Sequence, residues 1–195
     1  MKIGLFFGSF NPIHIGHLII ADYIAQFTDL TEVWLVVSPQ NPLKQKNSLA
    51  KDHDRLHLAT IATENNPRLK VSSIEFTLPK PSYTIDTLVY LKEKYPDKTF
   101  TLIMGSDNIQ SINKWKNFEK LLEDYDILVY NRQGYDQINP DYLKRVNFVD
   151  APLLHLSSTM IRERISQGKS IQYLVPDVVF HYLENSNLYK TKKKT

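Results

Sequence analysis

Cysteine is missing from all 195 residues. Disulfides, thiolate nucleophiles and thiolate metal sites are therefore excluded, and the composition agrees with a reducing cytoplasm. Both common nucleotide fingerprints are missing too: there is no G-x-G-x-x-G and no G-x-x-x-x-G-K-[ST]. The N-terminal apolar stretch is broken by Ser9, Asn11, Pro12 and two histidines, so it reads as neither a signal peptide nor a membrane span. Charge of one sign is scarce. The net charge is +3, and the terminal run Lys190-Thr-Lys-Lys-Lys-Thr195 supplies much of it. That run reads as a solvated, frayed tail, and with no basic stripe elsewhere no nucleic-acid partner is expected. An apolar share of 42% and a charged share of 23% fit one domain, residues 1–195, large enough to bury a core.

What is present centres on Gly8-Ser-Phe-Asn-Pro-Ile-His-Ile-Gly-His17, directly after the apolar run Ile3 to Phe7. It reads as strand, tight turn and helix start. Gly8 admits backbone conformations closed to other residues, and Pro12 suits a turn just before a first helical turn. His14 and His17 are three residues apart, hence neighbours on one helix face. The dipole and amides of that helix start favour an anion. Two imidazoles there suit a phosphate. A metal would want a third His, Cys or carboxylate in register, and none lies nearby.

Apolar runs at Ile3–Phe7, Val33–Val37, Val71–Phe76, Thr99–Met104 and Ile127–Tyr130 read as strands, several of them buried on both faces. Helical patterns from about His14 to Phe27, Asp52 to Glu64 and Ser82 or Thr84 to Tyr95 alternate with them. The expectation is a Rossmann-like three-layer α/β fold with a mostly parallel central sheet and a small C-terminal helical part, about 157–189. Ligands of such sheets bind at the carboxyl ends of the strands. Several candidates fall on that edge: Ser38 and the loop carrying Lys44 and Lys46, the Gly105-Ser-Asp107 turn with Asp107 as a helix cap, and Arg132. Trp115 lies in the polar stretch Asn113-Lys-Trp-Lys-Asn117, as an exposed flat side chain would. Tyr135 to Asn147 is poorly periodic and carries no functional reading. Ser157-Ser-Thr-Met-Ile-Arg162 opens a further helix, and a cation in a first helical turn runs against the dipole unless an anion offsets it.

Three of these segments carry a resemblance. GSFNPIHIGHL resembles the HxGH signature of the nucleotidyltransferase superfamily, and SSTMIR resembles its second signature, SSTxIR. PSYTIDTL, residues 81–88, is similar to a segment distinctive of nicotinate-nucleotide adenylyltransferases. The resemblance extends to Tyr173-Leu-Val-Pro-Asp-Val and Leu188-Tyr189, and so spans nearly the whole chain. It implies adenylyl transfer from Mg²⁺-bound ATP to nicotinate mononucleotide. His14, His17 and Arg162 would stabilise phosphate charge together with Lys44, since Pro42-Leu-Lys44 is similar to a Pro-Pro-x-Lys-like loop of the family. The same resemblance implies an ATP side formed by Gly8, Ser9, Phe10, Gly16, Gly105, Asp107, Ser157, Ser158, Thr159 and Ile161. Asn11, Ser38, Tyr83, Thr84, Trp115 and Arg132 would form the acceptor side, with the amides around Tyr83 and Thr84 receiving the nicotinate carboxylate and Trp115 stacking on the pyridine ring. Ser9 and Asn11 stand where many bacterial relatives carry Thr and Asp, and Asn11 keeps the size of Asp without its charge. Nicotinamide mononucleotide, a phosphopantetheine-type acceptor and a non-catalytic nucleotide-binding module are the alternatives, and oligomeric state is left unassigned.

Overall fold

The unbroken apolar run of β1 (Lys2–Gly8) needs cover on both faces, and the other strands and helices assemble around it. The computed structural model describes residues 1–39, 49–131 and 139–191. β2 (Glu32–Val37), β3 (Leu69–Ser72), β4 (Thr99–Gly105), β5 (Asp126–Tyr130) and β6 (Val146–Val149) join β1 in one sheet of order β3-β2-β1-β4-β5-β6. Every pairing among these strands is parallel, where the sequence suggested only mostly parallel. Chain order turns back between β1 and β4, the crevice where open α/β sheets take ligands.

Side chains alternate across the sheet with the period of two that strands impose. Phe6, Leu35 and Leu128 face one layer, built from α1 (Ile15–Phe27), α2 (Asp52–Thr63), α6 (Ser158–Ser166) and α7 (Asp177–Glu184). Leu5, Val36 and Ile127 face the other, built from α3 (Thr84–Lys94), α4 (Ser106–Gln110) and α5 (Phe118–Asp124). Three layers follow directly. Register places Gly8 beside Val37 and Gly105 beside Tyr130, so four strands end along one rim.

Several boundaries differ from expectation, each for a local reason. β3 stops at Ser72, and 74–77 is a 3-10 turn instead of strand. The Ser72 hydroxyl accepts from the Ile74 amide at 3.3 Å, and the Ser73 carbonyl accepts from Phe76 at 2.9 Å, so local bonds replace the ladder. Neither Ser82 nor Thr84 caps α3, because Tyr83 occupies that position without a side-chain bond. Gly105, not Asp107, precedes α4. In the unreadable stretch, Asn139 caps a 3-10 turn over Pro140–Arg145 by accepting from Asp141 at 3.0 Å, and β6 follows at the sheet edge. Asn147 and Phe148 of β6 are both exposed, which removes the alternation that would have marked a strand.

α7 belongs to the core: Val179 and Leu183 are buried in the cluster that also holds Ile24 of α1 and Leu58 of α2. Leu183→Ala should therefore cost about 2–5 kcal/mol, read as a lower urea midpoint with unchanged slope. A midpoint equal to that of the parent would show that the C-terminal helices contribute nothing to the core.

Candidate active site

The turn between β1 and α1 is shaped by what glycine leaves open. A Cβ on Gly8 would lie 2.8 Å from Cζ of Phe10, so only glycine lets that ring fold back beneath the strand end. Phe10 itself adopts a φ of 43° and is buried. Its ring packs edge-on against Phe6 at 5.8 Å and against His17 at 5.1 Å. Gly16 serves a related purpose: a Cβ there would stand 3.1 Å from His14 Nδ1, so its missing side chain makes room for an imidazole.

His14 and His17 cap α1 reciprocally. The His17 amide donates to His14 Nδ1 at 3.4 Å, and the His14 amide donates to His17 Nδ1 at 3.3 Å. The rings stack with centroids 3.6 Å apart. Because both Nδ1 atoms accept, a neutral imidazole at either position carries its proton on Nε2 and presents a donor on the opposite edge. The helix start is less bare than its sequence suggests. The Ile15 amide donates to the Leu174 carbonyl at 3.1 Å, and the His17 and Leu18 amides donate to the His14 carbonyl at 3.0 and 3.3 Å. An anion arriving here therefore meets the dipole and two imidazole edges more than open amides.

α6 docks onto the same turn from the far end of the chain. Ser157 caps it, accepting from the Met160 amide at 3.2 Å. The Ser158 hydroxyl donates to the Pro12 carbonyl at 2.9 Å, and Arg162 donates to the Asn11 carbonyl at 2.8 Å. Arg162 lies beyond the first turn, not within it, but its guanidinium reaches back to Thr159 Oγ1 at 3.2 Å. The phosphate candidates His14, His17, Ser158, Thr159 and Arg162 are thus gathered around one turn. Ile161 is different: its side chain is fully buried in the core, and its amide is bonded to the Ser157 carbonyl.

Two residues given no site role in the sequence hold this rim together. Arg55 is completely buried. It donates to the carbonyls of Ser9 (2.5 Å), Ser38 (2.8 Å), Ala50 (3.1 Å) and Pro39 (3.2 Å), and to the Asp52 carboxylate (2.7 Å). The Tyr189 hydroxyl donates to Asn11 Oδ1 at 2.7 Å, and that oxygen also accepts from the Ala50 amide at 3.1 Å. Both bonds need only an acceptor, which Asn11 provides without charge. Burial pushes the Tyr189 phenol well above its ordinary range, against the opposing pull of the Arg162 and Arg55 guanidiniums. Two positive charges therefore act on this turn. Arg55 carries no site reading in the sequence, and nothing local signals its burial.

Of the acceptor candidates, Asn11 lies in the phosphate turn itself and Ser38 beside it, while Tyr83 and Thr84 stand on the other face of the sheet. Ser38 follows β2, its amide bonded to the Gly8 carbonyl at 2.9 Å. Tyr83 and Thr84 form the start of α3, and Lys116 stands over the Tyr83 ring at 4.8 Å while pairing with Asp86 at 2.8 Å. Trp115 is half-buried and packed against the core cluster of the second layer, where the sequence suggested an exposed flat side chain. Gly105 and Asp107 stand at the end of β4 and in the first turn of α4. Lys44 and Arg132 lie outside the described residues, as does Lys46. Among the described residues, no group of three His or acidic side chains is arranged to hold a metal ion, and no helix is long and apolar enough to cross a membrane.

A parallel sheet with two helix starts, two histidines and a distant arginine meeting at its rim defines a class. A family model described as cytidylyltransferase-like matches residues 5–164, and the chain belongs to that family of nucleotidyltransferases. Its relatives are narrower in kind. A protein of Flavobacterium psychrophilum named "Probable nicotinate-nucleotide adenylyltransferase" is 51% identical over 192 residues, covering 97% of this chain and 100% of that protein. One of the same name from Bacteroides fragilis is 45% identical over 179 residues, covering 92% and 89%. Among solved structures, the Plasmodium falciparum nicotinic acid mononucleotide adenylyltransferase complexed with NaAD superposes with a TM-score of 0.79 at 24% identity, covering 96% of this chain and 97% of that one. That likeness establishes the Rossmann-like fold.

Arg55→Lys tests the rim. A lysine offers three donors from one point where the guanidinium serves five contacts, so carbonyls at the ends of β1 and β2 lose partners. The variant should lose about 2–4 kcal/mol in urea unfolding and about ten- to a hundredfold in kcat/KM. Parent-like stability and rates would show that the buried network is dispensable.

Proposed function

We propose that this chain transfers the adenylyl group of ATP to nicotinate mononucleotide, releasing deamido-NAD and pyrophosphate. The observation that carries the reading is the meeting of His14 and His17 with Arg162 at one turn, which Arg162 joins through the Asn11 carbonyl at 2.8 Å. The relatives named nicotinate-nucleotide adenylyltransferases, identical at about half of positions over nearly the full length, support the choice of acceptor.

The reaction needs no protein nucleophile. A 5′-phosphate oxygen of the mononucleotide attacks the α-phosphorus of ATP, a new P–O bond forms, and the bond to the bridging oxygen breaks with its electrons leaving on pyrophosphate. Catalysis is then placement plus stabilisation of charge on the phosphate oxygens. His14 and His17 donate from Nε2, held in that tautomer by the amides on Nδ1. Arg162 and the dipoles of α1 and α6 supply positive potential, and Lys44 adds a further charge. Gly105 and Asp107 serve the adenosine side. On the acceptor side, the start of α3 at Tyr83 and Thr84 favours a carboxylate over a neutral amide, Trp115 faces the pyridine ring, and Ser38, Asn11 and Arg132 complete the subsite. Mg²⁺ would arrive with ATP, bound mainly through its phosphates and water, and would supply neutralisation of triphosphate charge. The reaction belongs in the cytoplasm, in keeping with a chain free of cysteine.

His17→Ala should lower kcat by about a hundred- to a thousandfold while the protein remains folded by circular dichroism. Retention of parental turnover would refute the assigned role. Offering nicotinate and nicotinamide mononucleotides separately with ATP, and following pyrophosphate, should give the higher kcat/KM for the acid. A preference for the amide would transfer the reading to the nicotinamide acceptor, and binding without turnover to a nucleotide-binding module.

A further inference from the structure

Glu75 is the one acidic side chain among the described residues that is buried, at 2% exposure, and no step of the reaction above uses it. It sits in the 3-10 turn over 74–77, between β3 and α3. Oε1 accepts from the Thr87 hydroxyl at 2.9 Å, and that hydroxyl also approaches the Tyr83 carbonyl at 3.3 Å. The hydroxyls of Ser38, at the end of β2, and Ser82, just before α3, face the same carboxyl. Oε2 is buried and makes no hydrogen bond of normal geometry.

A buried carboxylate with an orphaned oxygen is costly, and proteins meet that cost by keeping the proton. Burial here outweighs the three hydroxyls and raises the affinity of Glu75 for its proton. The consequence concerns α3. An ionised carboxylate packed beside the start of a helix would itself take up the favourable potential of that end and oppose a second anion. A neutral acid braces the same backbone without competing. Asp86, the acid in the first turn of α3, is already paired with Lys116.

We propose that Glu75 is a positioning and specificity-determining residue, a neutral strut tying the turn after β3 to Thr87 of α3 so that the start of α3 is held in place and left open to an anionic substituent on the acceptor ring. This rests on the acceptor subsite assigned to Tyr83 and Thr84 above. Nicotinate mononucleotide, whose ring carries a carboxylate, should depend on the strut, whereas ATP bound around His14 and Arg162 should not.

The test compares Glu75→Gln, Glu75→Ala and Thr87→Val in the full chain, measuring kcat and separate KM values for ATP, nicotinate mononucleotide and nicotinamide mononucleotide. Glu75→Gln keeps size and hydrogen bonding without charge, so its KM for the acid should stay within about twofold of the parent. Glu75→Ala should raise that KM about tenfold, with KM for ATP and for the amide moving by less than about twofold. Should Glu75→Ala not fold, Thr87→Val, which removes the hydroxyl's 2.9 Å bond to Glu75 and its 3.3 Å contact with the Tyr83 carbonyl, should move the same KM in the same direction by about threefold, without moving KM for ATP. A Glu75→Gln variant as impaired as the alanine would overturn the neutral strut. Equal shifts in all three KM values would reduce Glu75 to a general stability role. Parental rates decide the underlying reading independently: if the unmodified chain turns over neither mononucleotide, the assigned reaction fails, whatever the variants do.

Discussion

The Arg55 guanidinium is the constraint on which the rest of the site depends, because it collects the loose ends of a parallel sheet. In such a sheet each strand ends in a loop with carbonyls that no neighbour serves. Burying them unpaired would cost about 1–3 kcal/mol each. Arg55 answers four such carbonyls, from Ser9, Ser38, Pro39 and Ala50, and balances its charge on Asp52. Three separated stretches are thereby fixed relative to β1 and β2. The turn that carries Asn11 and His14 inherits its position from that anchoring, since Ser9 is one of the tethered residues and Asn11 Oδ1 is bonded to Ala50.

On that base the phosphate end is assembled from both ends of the chain. The His14–His17 pair closes the start of α1 on itself, each Nδ1 accepting from the other residue's amide. α6 then brings Arg162 and Ser158 onto the carbonyls of Asn11 and Pro12. Tyr189 fastens the last segment to Asn11, with the charges of Arg162 and Arg55 both acting on it. On the other face of the sheet, the buried Glu75 carboxyl bonds Thr87 in the first turns of α3. One rim thus carries two anion-favouring helix starts on opposite faces of the sheet, a layout suited to joining two phosphorylated molecules.

Much of this was legible in the sequence because it depended on local pattern. Apolar runs marked five of the six strands, β3 with its end displaced, and Gly8, Pro12, His14 and His17 marked the turn. The hydroxyl cap ahead of α6 was readable for the same reason, whereas the last helix was read from the resemblance of its segment. What escaped depended on tertiary burial or on two exposed faces. Arg55 and Glu75 have the sequence surroundings of surface charges, and only the fold removes them from water. β6 shows solvent-facing neighbours at Asn147 and Phe148, so no alternation announces it. Trp115 stood among polar residues and suggested exposure, yet it is half-buried against the core of the second layer. Arg162 was read as a first-turn cation; it begins the next turn and returns to the helix start by the length of its side chain.

The central claim is that one triphosphate lies between the histidine pair of α1 and the arginine of α6. A crystal structure of the chain with a non-hydrolysable ATP analogue and Mg²⁺ tests it most directly. The account predicts phosphate oxygens within hydrogen-bond distance of Nε2 of His14 or His17 and of the Arg162 guanidinium, with the adenosine towards Gly105 and Asp107. A nucleotide bound elsewhere, with its phosphates away from the β1–α1 turn, would contradict it.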